Sequence, residues 1–357
     1  MVKALPELML AGDIGGTKTY LGLFAWKDDC LEAVKEGAFV NADFKDHMEI
    51  IENFLGGEET GRIVSASFGI ASPVFGGRCR LTNLHWVVDA AEIEKRFKIG
   101  HVELINDLAA AAWGMGRLQE DELRVLQEGR PGAGNSALIA AGTGLGECVL
   151  FWDGKAHIPS ASEGGHADFA PRSALEIELL QYLMKAYGHV SYERVLSGPG
   201  LKNIYDFLAA KRNASVPERL RKNFDSGGAA SVIADEGMRG GDKDCVLALE
   251  IFTSVYGAEA GNLALKGMAS AGIYIGGGIA PKILKALEGE GGAFIGSFRD
   301  KGRFEEYLRG VPVKVILFDR TALLGAASRA AGLATGFKKR IREIRLSGRN
   351  PVSRGAQ

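Results

Sequence analysis

Residues 8–26 read LMLAGDIGGTKTYLGLFAW: an apolar run meets an Asp and a pair of glycines, and a second apolar run follows. Two apolar strands around such a turn predict a β-hairpin. Residues 137–155, ALIAAGTGLGECVLFWDGK, repeat the same order of strand, glycine turn and strand. Two similar hairpins roughly 130 residues apart indicate two related halves rather than an array of short repeats.

The rest of the chain alternates strand and helix patterns. Residues 62–74 and 311–318 are apolar strands, and residues 90–97 have helical spacing. Residues 101–115 begin as a strand and become an alanine-rich helix after Asp107. Helices are predicted from 173 to about 265, with a break near 226–228. Residues 271–287 are predicted to form a strand, a triple glycine and a helix opened by Pro281. Residues 320–334 are predicted to form a helix of small residues. This alternation predicts an α/β protein of two lobes with a cleft between them.

Length and composition exclude several classes of protein. The 357 residues suffice for two domains, and 46% hydrophobic residues can build a core. A formal net charge of −1 gives no general attraction to nucleic acid or to an acidic membrane. The four cysteines form no C-x-x-C pair, which disfavours disulfides and thiolate zinc sites and suits a reducing cytoplasm. The start of the chain lacks a signal-peptide pattern, and no apolar run of about 18 residues predicts a membrane span.

Three glycine loops place bare backbone N–H groups at strand ends. One such loop fits a plain turn, but three together predict contacts to the phosphates of a nucleotide. None matches the Walker A sequence or the dinucleotide fingerprint, because GTGLG leads back into a strand and not into a helix. Asp13 is suited to hold Mg²⁺ directly or through water. The candidate nucleotide-binding residues are Asp13, Gly15, Gly16, Thr17 and Lys18 in the first loop, Gly142, Thr143 and Gly144 in the second, and Gly276, Gly277 and Gly278 in the third.

Polar residues beside the predicted strands are candidates for binding or chemistry. Asp107 ends a strand and starts a helix, so its carboxylate either caps that helix or serves a reaction. The segment SEGGHADFAP holds Glu163, His166 and Asp168, a set that suits a metal site, proton transfer or the hydroxyl groups of a polar ligand. No cysteine-rich partner supports zinc, so proton transfer and the binding of hydroxyl groups stay open from the residues alone. Glu147, directly after GTGLG, is expected to point away from the phosphates because side chains alternate along a strand.

Seven motifs in a fixed order carry a resemblance to one family. They are GDIGGTK, IASPVFGG followed by LTNLHW, ELINDLAA, AAGTGLG, EGGHADFAP, ERVLSGPGL and IGGGIAPK. Over about residues 8–333 the chain resembles the bacterial glucokinase family, part of the actin-like superfamily of hexokinases and sugar kinases. The resemblance implies a two-lobed actin-like ATPase (ribonuclease H-like) fold with a deep interlobe cleft. It also implies transfer of the γ-phosphoryl group of ATP to the 6-hydroxyl of glucose, with Mg²⁺ as the cofactor.

The resemblance assigns roles to individual residues. It implies that Asp107 is the general base and that the triple glycine passes under the adenosine. The implied sugar-binding residues are Asn106, Glu163, His166, Glu193 and Asn83. For Asn83 a turn cap is the alternative, and for Asp168 the choice lies between bonding the turn and supporting His166. No zinc site is expected, because the cysteine cluster of zinc-containing relatives is absent.

The same resemblance sets expectations for the whole chain. The expected small domain is 1–117 with 318–335, the large domain is 118–317, and 336–357 form a basic tail without fixed structure. Glucose and ATP are the expected partners, in a cytoplasmic homodimer that binds no nucleic acid and no membrane. The alternatives are a kinase for another hexose such as mannose or glucosamine, a donor such as ADP or polyphosphate, and a sugar-sensing protein without catalysis. A DNA-binding regulator is disfavoured because no helix-turn-helix precedes the first hairpin.

Overall fold

The computed structural model describes residues 7–27, 30–57, 60–81, 84–130, 132–213, 215–224, 228–289 and 291–346, without the side chains of residues 27, 30, 60, 219 and 336–346. By its internal contacts the chain divides into two compact units. Unit 1 is Met1–Leu118 with Arg320–Gln357, and unit 2 is Gln119–Asp319.

Unit 1 is built on a five-stranded sheet with the order β3-β2-β1-β4-β7. β1 (Leu8–Ile14) pairs antiparallel with β2 (Lys18–Lys27) and parallel with β4 (Ile63–Ile70). β3 (Cys30–Val40) pairs antiparallel with β2, and β7 (Val102–Asn106) pairs parallel with β4. Nearly all residues of β1 and β4 are buried, as in strands that are covered on both faces.

Helices pack on this sheet, and two of them approach each other closely. The helices are α1 (His47–Leu55), α2 (Ala90–Phe97), α3 (Asp107–Gly114) and α12 (Thr321–Leu346), and β5 (Arg78–Arg80) pairs with β6 (Val87–Asp89) in a separate small sheet. A Cβ on Gly325 of α12 would collide with the carbonyl oxygen of Ala110, and a Cβ on Gly114 with that of Thr321. These glycines let the α3 and α12 backbones touch, which fixes the position of α3 and of Asp107 at its start.

The C-terminal helix is longer than the sequence predicted. α12 continues to Leu346, past the expected end at 335, so the expected tail is helical over 336–346. The reason lies in the sequence of these residues, GFKKRIREIRL, which is rich in helix formers, has no proline and places basic residues near the negative end of the helix dipole. The rest of the predicted tail, 347–357, lies outside the described residues.

Unit 2 is built on a six-stranded sheet with the order β11-β10-β9-β12-β13-β8. Its strands are β8 (Leu123–Gln127), β9 (Ser136–Ala141), β10 (Leu145–Trp152), β11 (His157–Ser162), β12 (Gly272–Gly276) and β13 (Val313–Ile316). β9 pairs antiparallel with β10 and parallel with β12, as β1 does with β2 and β4. The duplication predicted from the two glycine hairpins is therefore confirmed.

A long buried helix organises the core of unit 2. The helices are α4 (Ala174–Tyr187), α5 (Gly198–Lys211), α6 (Glu218–Asn223), α7 (Ala229–Arg239), α8 (Lys243–Gly267), α9 (Leu284–Leu287), α10 (Ala293–Arg299) and α11 (Glu305–Gly310). Tyr256 of α8 is fully buried, and its hydroxyl accepts a hydrogen bond from the Ala141 amide (3.2 Å) at the end of β9. Of the predicted break near 226–228, residues 226 and 227 lie outside the described part, and Gly228 precedes α7.

The segment after the triple glycine corrects one prediction. A helix opened by Pro281 was expected, but residues 277–283 form consecutive turns and helix α9 begins only at Leu284. The amides of Lys282 and Ile283 both donate to the carbonyl oxygen of Ile279 (2.9 and 3.2 Å). Two donors on one carbonyl wind the chain more tightly than a regular helix, so the helix start is delayed.

Candidate active site

The first glycine loop, residues 13–18, connects β1 to β2 in unit 1. The Gly15 amide donates to the Lys18 carbonyl (3.0 Å) and closes the turn. Gly16 is half-buried, whereas Thr17 and Lys18 are exposed, so a hydroxyl and an ammonium group are open to solvent beside the loop. The phosphate-binding groups predicted for the first loop therefore lie together on one short turn.

A residue that the sequence analysis missed holds this loop. Asn41 is 1% exposed, and its Nδ2 donates to the Gly15 carbonyl (2.9 Å) while its Oδ1 accepts from Thr19 Oγ1 (2.8 Å). Its backbone amide donates to the Thr17 carbonyl (2.9 Å). One buried amide side chain thus ties both ends of the loop to the end of β3. The sequence offers no local signal for this role, because it depends on the pairing of β2 with β3.

The residues at the start of α3 divide two tasks between them. Asn106 is the N-cap: its Oδ1 accepts from the amides of Leu108 (2.9 Å) and Ala109 (3.3 Å). The alternative in which Asp107 caps this helix is therefore wrong, and the cap belongs to Asn106. Asp107 is the first helical residue, and its Oδ1 accepts from the adjacent Leu108 amide (2.8 Å). Capping occupies only the oxygen of the Asn106 amide group, which also carries two N–H donors.

Asp13 and Asp107 form a pair of interacting carboxyl groups. Asp13 lies opposite Gly69 in the parallel pairing of β1 with β4, and a Cβ on Gly69 would lie 2.7 Å from the Ala110 Cβ and 3.6 Å from the Asp107 Cα, so the start of α3 packs closely on this face. Burial, and then the negative charge of Asp107, raise the pKa of Asp13 from 3.8 to about 7. A cation beside Asp13 would relieve this repulsion, so the electrostatics of the pair suit Mg²⁺.

The second glycine loop, residues 142–144, connects β9 to β10 in unit 2. The Gly142 amide donates to the Gly144 carbonyl (2.8 Å), and the Gly142 carbonyl accepts from the Gly198 amide (2.8 Å) at the start of α5. Thr143 is exposed at the tip. The Glu193 carboxylate lies directly against this loop: its Oε2 accepts from the Leu145 amide (3.0 Å) and is 2.5 Å from where a Cβ on Gly144 would be. The structure therefore brings Glu193 next to the predicted phosphate loop.

The Glu–His loop, residues 163–168, follows β11. A short 3-10 turn over Gly164–His166 presents Glu163 and His166 to solvent, with Oε2 and Nε2 3.9 Å apart. A Cβ on Gly165 would collide with the Leu145 carbonyl, so this glycine seats the turn on β10. Side chains that are adjacent, exposed and polar suit the hydroxyl groups of a sugar.

Asp168 pairs with a residue that the sequence analysis did not consider. Its Oδ1 lies 2.7 Å from His189 Nε2, and residue 168 forms an isolated β-bridge with Ser191. Asp168 therefore ties the Glu–His loop to the segment before Glu193, and this side-chain bond goes to His189 rather than to His166.

The third glycine loop, residues 276–278, leaves β12. Gly277 has a φ of +82°, and a Cβ there would collide with the Ala141 carbonyl. Only glycine fits this position, since the left-handed backbone and the close approach both exclude a side chain. Gly278 faces open space. In unit 2 the structure thus gathers the second and third glycine loops at the ends of the neighbouring strands β9 and β12.

Some predictions lie beyond what the structure describes. Asn83, a predicted sugar ligand, lies outside the described residues.

Within the described ranges, no group of three or more His, Cys, Asp or Glu side chains is arranged to hold a metal ion. A single carboxylate with waters and nucleotide phosphates is nevertheless the usual way in which proteins hold Mg²⁺. In the same part of the chain, every helix is too short or too polar to cross a membrane.

Comparison with solved structures establishes the class of protein. A glucokinase from an Antarctic psychrotroph superposes with a TM-score of 0.80 at 30% identity, covering 91% of this chain and 99% of that one. A ROK family glucokinase from Streptomyces griseus, in complex with glucose and AMPPNP, shares the fold with a TM-score of 0.59 at 22% identity, covering 91% and 99%. The chain has the actin-like ATPase fold and belongs to the class of ATP-dependent hexose kinases.

Sequence comparison then gives the family. The family model described as Glucokinase matches residues 10–333. A glucokinase from Nostoc punctiforme is 40% identical over 344 residues, covering 91% of this chain and 99% of the relative. The chain belongs to the glucokinase family.

Proposed function

We propose that the chain transfers the γ-phosphoryl group of ATP to the 6-hydroxyl of glucose, with Asp107 as the general base. The observation that supports this proposal is that Asp13 and Asp107 interact beside the first glycine loop, so that one carboxyl group is suited to a cation and the other to accepting a proton. Phosphoryl transfer needs little covalent help, so Asp107 orients the sugar hydroxyl and accepts its proton. The neighbouring Asn106 cap fixes the backbone from which Asp107 acts.

The nucleotide is assigned to the three glycine loops. Amides of the first and second loops, with Thr17, Lys18 and Thr143, contact the phosphates, and the third loop supports the adenosine. The Streptomyces griseus relative bound to an ATP analogue supports ATP as the donor. Asp13 would hold Mg²⁺, and the ion when bound neutralises the developing negative charge on the phosphates.

The sugar is assigned to Asn106, Glu163, His166 and Glu193, with Asn83 as a further ligand. Carboxylate oxygens accept from hydroxyl groups, imidazole nitrogens donate or accept, and amide nitrogens donate, so this set suits an uncharged polyol. The support from this chain is that Glu163 and His166 are exposed on one turn and that the Asp168–His189 and Ala167–Tyr192 bonds tie that turn to the segment of Glu193.

The test is a coupled assay of ADP release with Mg²⁺-ATP and a panel of glucose, mannose and glucosamine. We expect turnover on glucose that falls by about 10²–10⁴ in Asp107→Asn, with little change in the KM for glucose, because the variant keeps its shape but accepts no proton. Asp121→Asn, an exposed Asp outside the site, is the matched control.

Each other outcome of this assay has a definite meaning. Turnover on mannose or glucosamine in preference to glucose would change the substrate, and turnover with ADP or polyphosphate would change the donor. A native chain without sugar-dependent turnover would overturn the kinase proposal and leave a sugar-sensing protein.

We also propose a cytoplasmic homodimer with functional domains at 1–117 plus 318–335 and at 118–317. The reducing compartment is supported by Cys79, Cys148 and Cys245, which form no disulfide among the described residues. The homodimer rests on the family resemblance, and light scattering behind size exclusion measures it. A monomeric mass at assay concentration would contradict it.

A further inference from the structure

Unit 2 contains two buried carboxyl groups that none of the roles above uses. Glu147 lies on β10 and is 2% exposed, and Glu259 lies on α8 and is fully buried. Acidic side chains are almost never fully buried unless they are paired. Here each is the other's neighbour, since a side-chain hydrogen bond joins the two carboxyl groups.

The contacts of Glu259 are complete. Its Oε1 accepts from Lys266 Nζ (3.1 Å), and its Oε2 accepts from Asn262 Nδ2 (2.8 Å). The Tyr192 hydroxyl accepts from the same Asn262 Nδ2 (3.1 Å), and burial, followed by the charge of Glu259, raises the pKa of Tyr192. One ammonium group and one neutral amide group therefore donate to this carboxyl group.

The contacts of Glu147 are incomplete without a proton. Its Oε1 is buried and finds no donor among the described residues. Two ionised carboxylates are both acceptors and cannot hydrogen-bond to each other, so a bond between Glu147 and Glu259 requires a proton on one of them. Burial, and then the charge of Glu259, raise the pKa of Glu147 to about 7 against the opposing effect of Lys266.

The carboxyl pair lies beneath the segments that carry the proposed sugar ligands. A Cβ on Gly164 would collide with Glu147 Oε2, so Glu147 supports the Glu–His loop from below. Asn262 links Glu259 to the hydroxyl of Tyr192, the residue directly before Glu193, and the Tyr192 amide donates to the Ala167 carbonyl (2.9 Å). One buried cluster thus contacts both the loop of Glu163 and His166 and the turn of Glu193.

We propose that Glu147 and Glu259 are positioning residues that share one proton and thereby hold the Glu–His loop and the Tyr192–Arg194 turn in the geometry that binds glucose. The inference rests on the proposed function of those two segments. Loss of the shared proton places two negative charges side by side under the Glu–His loop and pushes it outward. Glucose binding then weakens as the pH rises, while the nucleotide contacts stay in place.

Other ionisable groups face the pair from each element that packs against it. They are Lys266 and Tyr256 on α8, Tyr192 before α5, and Lys301 after α10 with Arg172 beside it. Lys301 interacts with the charge of Glu259. Burial, and then the positive charge of Arg172, lower the pKa of Lys301. Because all of these groups remain in a Glu147→Gln variant, a comparison of the variant with the native chain isolates Glu147.

The experiment measures kcat/KM for glucose, and KM for ATP, from pH 5.5 to pH 9 in the native chain and in Glu147→Gln and Glu147→Leu. The native chain is expected to lose affinity for glucose above about pH 7, as the pair loses its proton. Glu147→Gln keeps the shape and one donor, so it is expected to flatten this alkaline decline. Glu147→Leu removes the bond and is expected to raise KM for glucose about 10-fold, with KM for ATP unchanged. Glu250→Gln, an exposed residue of α8, is the matched control.

Two further measurements separate this inference from the proposed activity. Glucose binding by calorimetry over the same pH range follows the loop even if no turnover occurs. The infrared C=O band of a buried protonated carboxyl group, present in the native chain and lost in Glu147→Gln, reports the proton directly. Native pH profiles that Glu147→Gln leaves unchanged, or an absent carboxyl band at pH 6, would overturn the inference. Absence of glucose turnover with intact binding and an intact band would instead overturn only the proposed function.

Discussion

Asn41 shows at the scale of a single residue how a binding loop can depend on a side chain that touches no ligand. Its amide group satisfies Thr19 Oγ1 and the Gly15 carbonyl, and its backbone amide satisfies the Thr17 carbonyl. A glycine turn without such bonds samples many conformations, because glycine restricts the backbone little. The buried amide therefore contributes order to the amides that the first glycine loop offers to phosphate.

The substitution Asn41→Ala tests this role. We expect a rise of about 10-fold in KM for ATP at saturating glucose, because two buried hydrogen-bond partners lose their bonds and the loop loosens. The free energy of unfolding is expected to fall by about 1–3 kcal/mol for the same reason. Initial rates against ATP, with denaturant unfolding alongside, measure both effects.

Asn41→Asp is the informative second variant. It keeps the acceptor for Thr19 but replaces the donor to the Gly15 carbonyl with a negative charge, so KM for ATP should rise at least as much as in Asn41→Ala. A loss of stability with unchanged KM for ATP in both variants would show that Asn41 is only structural.

Single residues also mark the limit of prediction from the sequence. Asp13 and the glycine loops were predicted from local motifs and turn chemistry, and Glu193 from the family resemblance; their roles stay predictions. Asn41 and the cluster around Glu147 were not found, because their partners come from strand register and from a distant helix. The alternation of residues along β10 correctly puts Glu147 and Gly146 on opposite faces of the strand. It does not predict that Glu259 of α8 lies next to Glu147.

At the scale of elements, glycine spacing decides how closely helices approach. α3 carries Asp107 at its start, and α12 packs against it through Gly325 and Gly114. Small residues at such a contact allow backbones to touch, and a single added methyl group separates them. The geometry of the proposed catalytic base thus depends on a helix more than 200 residues further along the chain.

The substitution Gly325→Ala is expected to destabilise unit 1 by about 1–3 kcal/mol or more, since its Cβ would collide with the Ala110 carbonyl and force the helices apart. Activity should fall as well, because α3 moves with Asp107. Gly332→Ala on the same helix is the control: nothing lies within 4 Å of its Cβ. Helix propensity predicts a gain of about 0.5–1 kcal/mol for that control. Equal melting temperatures for the two variants would contradict this account of the α3–α12 contact.

Elements were predicted well where periodicity is strong and less well at their ends. Strands β9 and β10 and helices α2 and α3 were predicted from local pattern. The predictions of a helix opened by Pro281 and of the end of α12 were wrong, because the ends of a helix depend on which carbonyl accepts from each amide. The Ile279 carbonyl accepts from two amides, and the amino-acid composition of the segment does not predict this.

At the scale of the whole molecule, the duplicated sheet places the same device in each unit. β1-β2-β4 in unit 1 and β9-β10-β12 in unit 2 have the same pairing, and each ends in a glycine loop. The hairpin sequences alone predicted this duplication, because strand, turn and strand are all local signals. The buried acidic groups near the loops differ between the units: Asp13 in unit 1, and Glu147 with Glu259 in unit 2. They give the stability of each unit its own dependence on pH.

The dependence of stability on pH follows from the buried pair of unit 2. The pKa of Glu147 is raised from 4.5 to about 7, so between these values the folded chain binds more protons than the unfolded chain. By linkage, the contribution of Glu147 to the free energy of unfolding then falls by about 3 kcal/mol as the pH rises through this window, and it is flat above the window. Glu147→Gln cannot ionise, so its stability relative to the native chain should rise from pH 5 to pH 7 and then stay constant. Denaturant unfolding at pH 5, 6, 7 and 8 measures the difference, with Glu250→Gln expected to follow the native curve. Parallel curves for the native chain and Glu147→Gln would mean that Glu147 is already ionised at pH 5 and that the carboxyl pair holds no proton.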